Sequence, residues 1–269
     1  MKYLGLIILW FFTVILFSFT LKIYSDTKSP KPITLISTPT PVSKFISQIS
    51  HGSRQLPEIA LTFDADMTPK MVKELETGQI RSYYNQAITE ILNKEQIPAT
   101  IFISGLWAKR YPEITKELSQ NPLFEIGNHS YSHPRFTNKC YALPPVPEWG
   151  KDAEFQLSQE ALKNIIGFYP QLFRFPGGCH SPQDVELANQ YRLTVVDWDA
   201  SSGDSFNPNL NSVVSNIKKY TQNGSILLFH LNGNKNAPKT AQALELIIPY
   251  LRQKNFQFVT VSRLISTLN

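Results

Sequence analysis

Cysteine is nearly absent from this 269-residue chain. The two present allow at most one disulfide. Histidine is also scarce, with five residues, so any clustering of them carries weight. Basic runs are missing. Lys and Arg total 26 against 21 Asp and Glu, a formal charge of +5, but they are scattered and not gathered into stripes. That excess suits acidic surroundings such as an anionic cell envelope and does not point to nucleic acid. Internal repeats are not evident, and nothing specifies an oligomeric state. A hydrophobic share of 42% with ordinary aromatic and charged content describes one main domain with one sizeable core.

One long apolar run is present. Residues 3–21 (YLGLIILWFFTVILFSFTL) carry no charge and match the roughly 20 residues a helix needs to cross a bilayer. The run reads as a transmembrane segment or a signal peptide. Its end, Phe19-Thr20-Leu21-Lys22-Ile23-Tyr24, lacks the small-residue site of a cleavable signal and favours an uncleaved anchor. Residues 25–55 contain SPKP and TPTPV, a composition that resists compact packing and reads as a spacer. The expected organisation is a membrane anchor or signal over residues 1–24, a linker over 25–55 and a folded domain over 56–269. That domain is expected outside the cytoplasm, membrane-anchored, or secreted if the segment is cleaved.

Within 56–269, seven apolar runs have strand length: IALTF (59–63), ATIFI (99–103), LFEIG (123–127), LFRF (172–175), LTVVDW (193–198), ILLFH (226–230) and FQFVTV (256–261). Helical patterns separate most of them. Leu157, Ala161, Leu162, Ile165 and Ile166 share a face and stop at Gly167, a natural C-cap, while Ser181-Pro182 opens another helix. Further helices are expected over 210–220 and from beside Pro238. Alternation of this kind predicts an α/β fold with a parallel sheet, open or closed into a barrel, and a ligand site at the carboxyl ends of the strands. The residues capable of chemistry fall at those ends.

GNHSYSH sets His129 and His133 four apart, so one turn of chain can bring both imidazoles to one ion. Ser130 after the first histidine excludes the H-E-x-x-H peptidase pattern. LTFDADMTP offers Asp64 and Asp66: one carboxylate to complete a metal site, one to act as general base. The alternative is that Asp66 caps the turn before Thr68 and Pro69. Arg174, in FRFPGG, is placed to lower the pKa of a catalytic carboxylate and fix its orientation, and the glycines behind it allow close backbone approach. His230 ends ILLFH as a candidate acid, with Asp204 as its carboxylate partner and Leu228 on the same strand face as a pocket wall.

In this order, TFDAD, HSYSH, RFPGG, SSGDS and LFH resemble the five motifs of the polysaccharide deacetylases of carbohydrate esterase family 4, the NodB-type domain. The resemblance spans nearly all of 56–269. It implies a distorted, incomplete (β/α)7 barrel and a metal-dependent removal of N-acetyl groups from amino sugars of an N-acetylated polysaccharide such as peptidoglycan or chitin. It also implies Asp64 as base, His129 and His133 as ligands of a divalent ion (zinc by default), Arg174 tuning the base, and His230 as acid partnered by Asp204.

Three departures stand out. Ala65 occupies the place of the family's metal-binding aspartate, and Asp66 is the replacement that an extended strand would turn to the same side as Asp64. Gly177 stands where an aromatic is frequent, leaving its N–H for an oxyanion. Ser201 and Ser205 replace an aspartate and a tryptophan, so Trp198 is expected to fill the gap at the acetyl pocket from another direction. Cys140 and Cys179 each come after a site motif and are expected to form a disulfide outside the cytoplasm, two free thiols being the alternative. Between them, YALPPVPEWG reads as an ordered loop over the site, with Tyr141 or Trp149 to stack on a sugar. The competing function is a catalytically silent glycan-binding domain, for which Ala65 is the argument.

Overall fold

The computed structural model describes residues 47–147 and 149–268. The apolar segment 3–21 and most of the expected linker lie outside them. Among the described residues, no helix is long and apolar enough to cross a membrane.

The elements are β1 (Gln48–Ile49), β2 (Glu58–Ala65), α1 (Pro69–Glu76), α2 (Gln86–Lys94), β3 (Ala99–Ile103), α3 (Gly105–Arg110), α4 (Pro112–Gln120), β4 (Phe124–Asn128), α5 (Gly150–Ile166), β5 (Leu172–Phe173), α6 (Pro182–Gln190), β6 (Thr194–Val196), β7 (Ala200–Ser201), α7 (Leu210–Tyr220), β8 (Ile226–His230), α8 (Thr240–Gln253), β9 (Gln257–Phe258) and α9 (Val261–Ile265). The sheet runs β1-β6-β5-β4-β3-β2-β8-β7, with β9 paired to the start of β2, and every pair is parallel. This is a parallel-sheet half-barrel, consistent with the expected distorted barrel.

All seven predicted strands are present, three of them shorter. Arg174 leaves β5 because Pro176 opens a single 3-10 turn (Pro176–Gly178). The last run stops at Phe258, where the Thr260 side chain accepts from the Arg263 N–H and starts α9. β1 and β7 are two residues each, too short to leave a hydrophobic pattern. β1 also moves the start of the fold. Gln48 and Ile49 pair with Val195 and Val196, so the domain begins before residue 56 and the end of the expected linker belongs to it.

Helix ends obey the side chains available. Ser181 and Asp184 form a capping box with Pro182 at the first turn, and Gly167 ends α5 in the left-handed region at φ 89°. Before α1 the cap is Thr68, accepting from the Met71 N–H. Asp66 is therefore released from the capping role.

β2 is buried along its whole length, and its alternation sorts side chains into two layers. Ile59, Leu61, Phe63, Ala65 and Met67 pack into the main apolar core, together with residues of α1, α2 and α8. Ala60 belongs to a second cluster with Phe102, Leu172, Val196 and Ile226. Thr62 and Asp64 alternate with the first set, on the face of Ala60. A third, aromatic cluster joins Phe136 to Phe155, Phe173 and Phe175 and anchors the loop after β4.

Candidate active site and metal centre

Carboxylates, imidazoles and a guanidinium meet at the carboxyl ends of β2, β4, β5 and β8. His129 and His133 sit on the turn after β4, a sharp one: Ser130 and His133 have φ of 62° and 56°, left-handed values that cost energy in residues with a Cβ. Hydrogen bonds hold it. The Asn128 carboxamide oxygen accepts from the Ser130 N–H at 2.9 Å, and Ser130 Oγ accepts from the His133 N–H at 3.2 Å. From α5, the fully buried Glu154 accepts from the N–H groups of Tyr131 (2.9 Å) and Ser132 (2.8 Å), from Ser132 Oγ (2.7 Å) and from the Trp149 indole (3.0 Å).

His129 Nδ1 lies 2.8 Å from the Arg174 carbonyl, which can only accept, so this nitrogen carries a proton and in the neutral ring Nε2 presents a lone pair. Nε2 is 3.4 Å from Asp66 Oδ1, and His133 Nε2 is 3.2 Å from the same oxygen. Buried His129 Nε2 and Asp66 Oδ1 nevertheless make no hydrogen bond to any group. Two orphaned acceptor atoms facing each other in a buried site are what a ligand set presents to a cation. Asp66, His129 and His133 offer ligand atoms that all lie within 4.8 Å of one another, and they fit a divalent ion.

Ala65 points into the apolar core, fully buried, and has no part in this cluster. The β2–β3 ladder ends at Ala65, opposite Ile103, so the Asp66 peptide lies beyond it. The buried Asn232 side chain takes over: its Oδ1 accepts from the Asp66 N–H at 2.8 Å and its Nδ2 donates to the Asp66 carbonyl at 2.9 Å. Asn232 is itself fixed, because its neighbours pair with residues 83–85 (Asn85 N–H to Leu231 C=O, 3.1 Å; Gly233 N–H to Tyr83 C=O, 3.0 Å). Outer contacts of this kind govern how firmly a metal is held. Replacing Asn232 with alanine is expected to weaken cation binding by about 10–100-fold in chelator competition. Unchanged affinity would show that the strand end alone suffices.

Asp64 lies across the cluster. Its Oδ1 accepts from Arg174 Nη1 at 2.9 Å and its Oδ2 is 3.6 Å from His129 Nε2. Arg174 is completely buried and heavily bonded: Nε donates to the Val196 carbonyl (3.0 Å), Nη1 also to Thr62 Oγ1 (2.7 Å) and Nη2 to the Asp197 carbonyl (3.3 Å). Its guanidinium lies 4.2 Å from the Phe102 ring centre and 5.5 Å from Trp198.

His230 Nδ1 pairs with Asp204 Oδ1 at 2.7 Å, while Asp204 Oδ2 accepts from the His230 N–H (2.9 Å) and Thr240 Oγ1 (2.6 Å). Burial disfavours the imidazolium, but the Asp204 carboxylate, with Asp66 and Asp64 beyond, outweighs it and raises His230 to about 10. Burial likewise pushes the Asp204 carboxyl up, and the His230 charge with the hydrogen bonds from His230 and Thr240 holds it below the usual range. His230 Nε2, 3.9 Å from Asp66 Oδ2, faces the cluster.

Of the remaining expected residues, Leu228 is buried in β8, one strand period before His230. Trp198 is half-buried, against Arg174 and Gly178. Gly177 has φ 63°, and a Cβ there would come within 2.7 Å of Cys140 Sγ, so neither conformation nor space admits a side chain. Cys140 and Cys179 form the disulfide. Tyr141 is 84% exposed, whereas the Trp149 indole N–H is committed to Glu154. Thr62 and Asn232 escaped the sequence reading although both keep the strand period, Thr62 with Asp64 and Asn232 with Leu228 and His230. Glu154 left no signal, for it arrives from a distant helix.

The rim brings a candidate cation site, the Asp64 carboxylate and the His230 imidazole to one space, an arrangement suited to hydrolysis. The sequence profile described as polysaccharide deacetylase matches residues 51–196, and the chain belongs to that family of hydrolases. A peptidoglycan-N-acetylglucosamine deacetylase of Bacillus cereus is 27% identical over 214 residues, spanning 78% of this chain and 69% of the relative. Two solved structures share the fold. The Bc1960 peptidoglycan N-acetylglucosamine deacetylase superposes with a TM-score of 0.69 at 24% identity, covering 82% of this chain and 94% of the other. The Bacillus anthracis protein BA3943, described as a CE4 family pseudoenzyme, gives 0.65 at 20% identity, covering 81% and 68%.

Proposed function

We propose that this protein is a divalent-metal-dependent hydrolase that removes N-acetyl groups from amino sugars of a cell-envelope or extracellular polysaccharide, and that it works outside the cytoplasm. The convergence of Asp66 Oδ1 on both imidazole Nε2 atoms carries the reading. It answers the argument from Ala65 for a silent glycan-binding domain, since a carboxylate still reaches the metal set from one residue later.

A cation held by Asp66, His129 and His133 would supply Lewis-acid activation of water and of the acetamide carbonyl, and zinc suits this donor set. Asp64 is assigned the general base. Arg174 binds its Oδ1, leaving Oδ2 to take the proton of the attacking water. His230 gives the Nε2 proton to the departing amine, while Asp204 on Nδ1 keeps the ring charged and aimed. Products are acetate and a free amino sugar. Leu228 and Trp198 are assigned the apolar wall beside the acetyl methyl, and the Gly177 N–H a place among the oxyanion donors. The disulfide fits an oxidising compartment.

The full chain, incubated with N-acetylglucosamine oligomers, is expected to release acetate, to lose the activity on chelation and to regain it with Zn²⁺ or Co²⁺. Release that survives exhaustive chelation would remove the metal from the reaction. A cation-loaded protein that binds the oligomers without releasing acetate would support the silent domain.

A further inference from the structure

His230 is held the way a metal ligand is held. Metal-binding histidines almost always give one ring N–H to a carboxylate or a carbonyl and aim the other nitrogen at the ion. His129 does this with the Arg174 carbonyl at 2.8 Å. His230 does it with Asp204, Nδ1 to Oδ1 at 2.7 Å, and Asp204 is fixed in turn by Thr240 Oγ1 at 2.6 Å. Among the described residues, His230 Nε2 makes no hydrogen bond and faces Asp66 Oδ2 at 3.9 Å.

The two oxygens of Asp66 serve different sides. Oδ1 lies 3.4 Å and 3.2 Å from the Nε2 atoms of His129 and His133, whereas Oδ2 is turned to His230. Asp64, 3% exposed, is divided in the same way: Oδ1 accepts from Arg174 Nη1 at 2.9 Å, and Oδ2 faces the cluster, 3.6 Å from His129 Nε2. Ligand atoms of Asp64, Asp66 and His230 all lie within 4.8 Å of one another, a second group beside Asp66, His129 and His133. One carboxylate therefore belongs to two sets of ligands.

The sets are unequal. Metal bonds of ~2.1 Å in a tetrahedral site put ligand atoms about 3.4 Å apart. The distances from Asp66 to the two imidazoles of the first set already match this, and the 3.9 Å to His230 is wider. Charge adds to the difference, because a divalent ion in the first set, together with Arg174, already balances the carboxylates of Asp64, Asp66 and Asp204. An ion in the second set must also displace the proton on His230 Nε2, which leaves to water.

We propose that Asp64, Asp66 and His230 form a second, weaker site for a divalent cation, sharing Asp66 with the first, and that an ion there arrests hydrolysis by occupying the base and the acid at once. The site stands on the side chains alone; the arrest rests on the deacetylase reading above.

The test titrates metal-free full chain with Co²⁺. Bound ions are read by equilibrium dialysis and the visible spectrum, and acetate release from N-acetylglucosamine oligomers is followed at each loading. Two ions per chain are expected, one tight and one weaker. Turnover rises with the first and falls with the second by about 10²-fold or more, since acid-base catalysis contributes roughly 10²–10⁴-fold. Asp64→Asn and His230→Gln each keep the tight ion and weaken the second by more than the roughly 10–100-fold that an outer contact commands, and Asp66→Ala loses both. The two single variants keep the result readable if one of them fails to fold. Saturation at one ion in millimolar Co²⁺ overturns the proposal. So does a second ion held as well by both variants as by the parent, which is then a surface ion, or one that leaves turnover unchanged. A second ion that both substitutions weaken, in a protein releasing no acetate at any loading, keeps the site and removes the deacetylase reading.

Discussion

Asp64→Asn protein retains its cation and loses acetate release by about 10²–10⁴-fold, the range a general base contributes. The substitution keeps the shape of the side chain and an oxygen able to accept from Arg174 Nη1, so the guanidinium keeps its bonds to Val196, Thr62 and Asp197. What disappears is the capacity to take a proton. Asp64 lies 3.6 Å from His129 Nε2 and outside the Asp66–His129–His133 ligand set, so metal content by elemental analysis stays at the parent level. The loss falls on kcat. Parent-level turnover in this variant would end the assignment of Asp64 as base, and loss of the ion would move Asp64 into the ligand set.

Asp66→Ala protein is expected to lose the cation itself. Two imidazoles remain, and removing a direct ligand costs more than the roughly 10–100-fold in affinity that an outer contact commands. Chelator competition, or the visible spectrum of a Co²⁺-loaded sample, measures it. Adding Ala65→Asp, which restores the family's usual position, does not rescue binding: residue 65 faces the apolar core, fully buried, and a carboxylate there is unpaired and costly. The double variant is expected to unfold at a lower temperature and to bind no ion. Full metal occupancy in Asp66→Ala would show that the imidazoles hold the cation without a carboxylate. Rescue by Ala65→Asp would show that β2 can turn over its last residues.

Much of this was legible in the chain. Mainly apolar runs of four to six residues, the Ser181-Pro182 cap and the Gly167 stop are local signals, set by backbone sterics and by which side chains bond the backbone nearby. The strand-end rule then placed Asp64, His129, His133, Arg174 and His230 on one rim, and the period of two turned Asp66, not Ala65, toward it. Three-dimensional packing alone decided the rest. Whether Asp66 caps a helix or faces two imidazoles depended on Thr68 taking the cap and on Asn232, two residues past β8 and far along the chain, bonding the Asp66 peptide on both sides. Glu154 holding the histidine turn and the short pairings of β1 and β7 likewise arise between residues distant in sequence. Periodicity reports which way a side chain points, but only the folded sheet sets what stands opposite it.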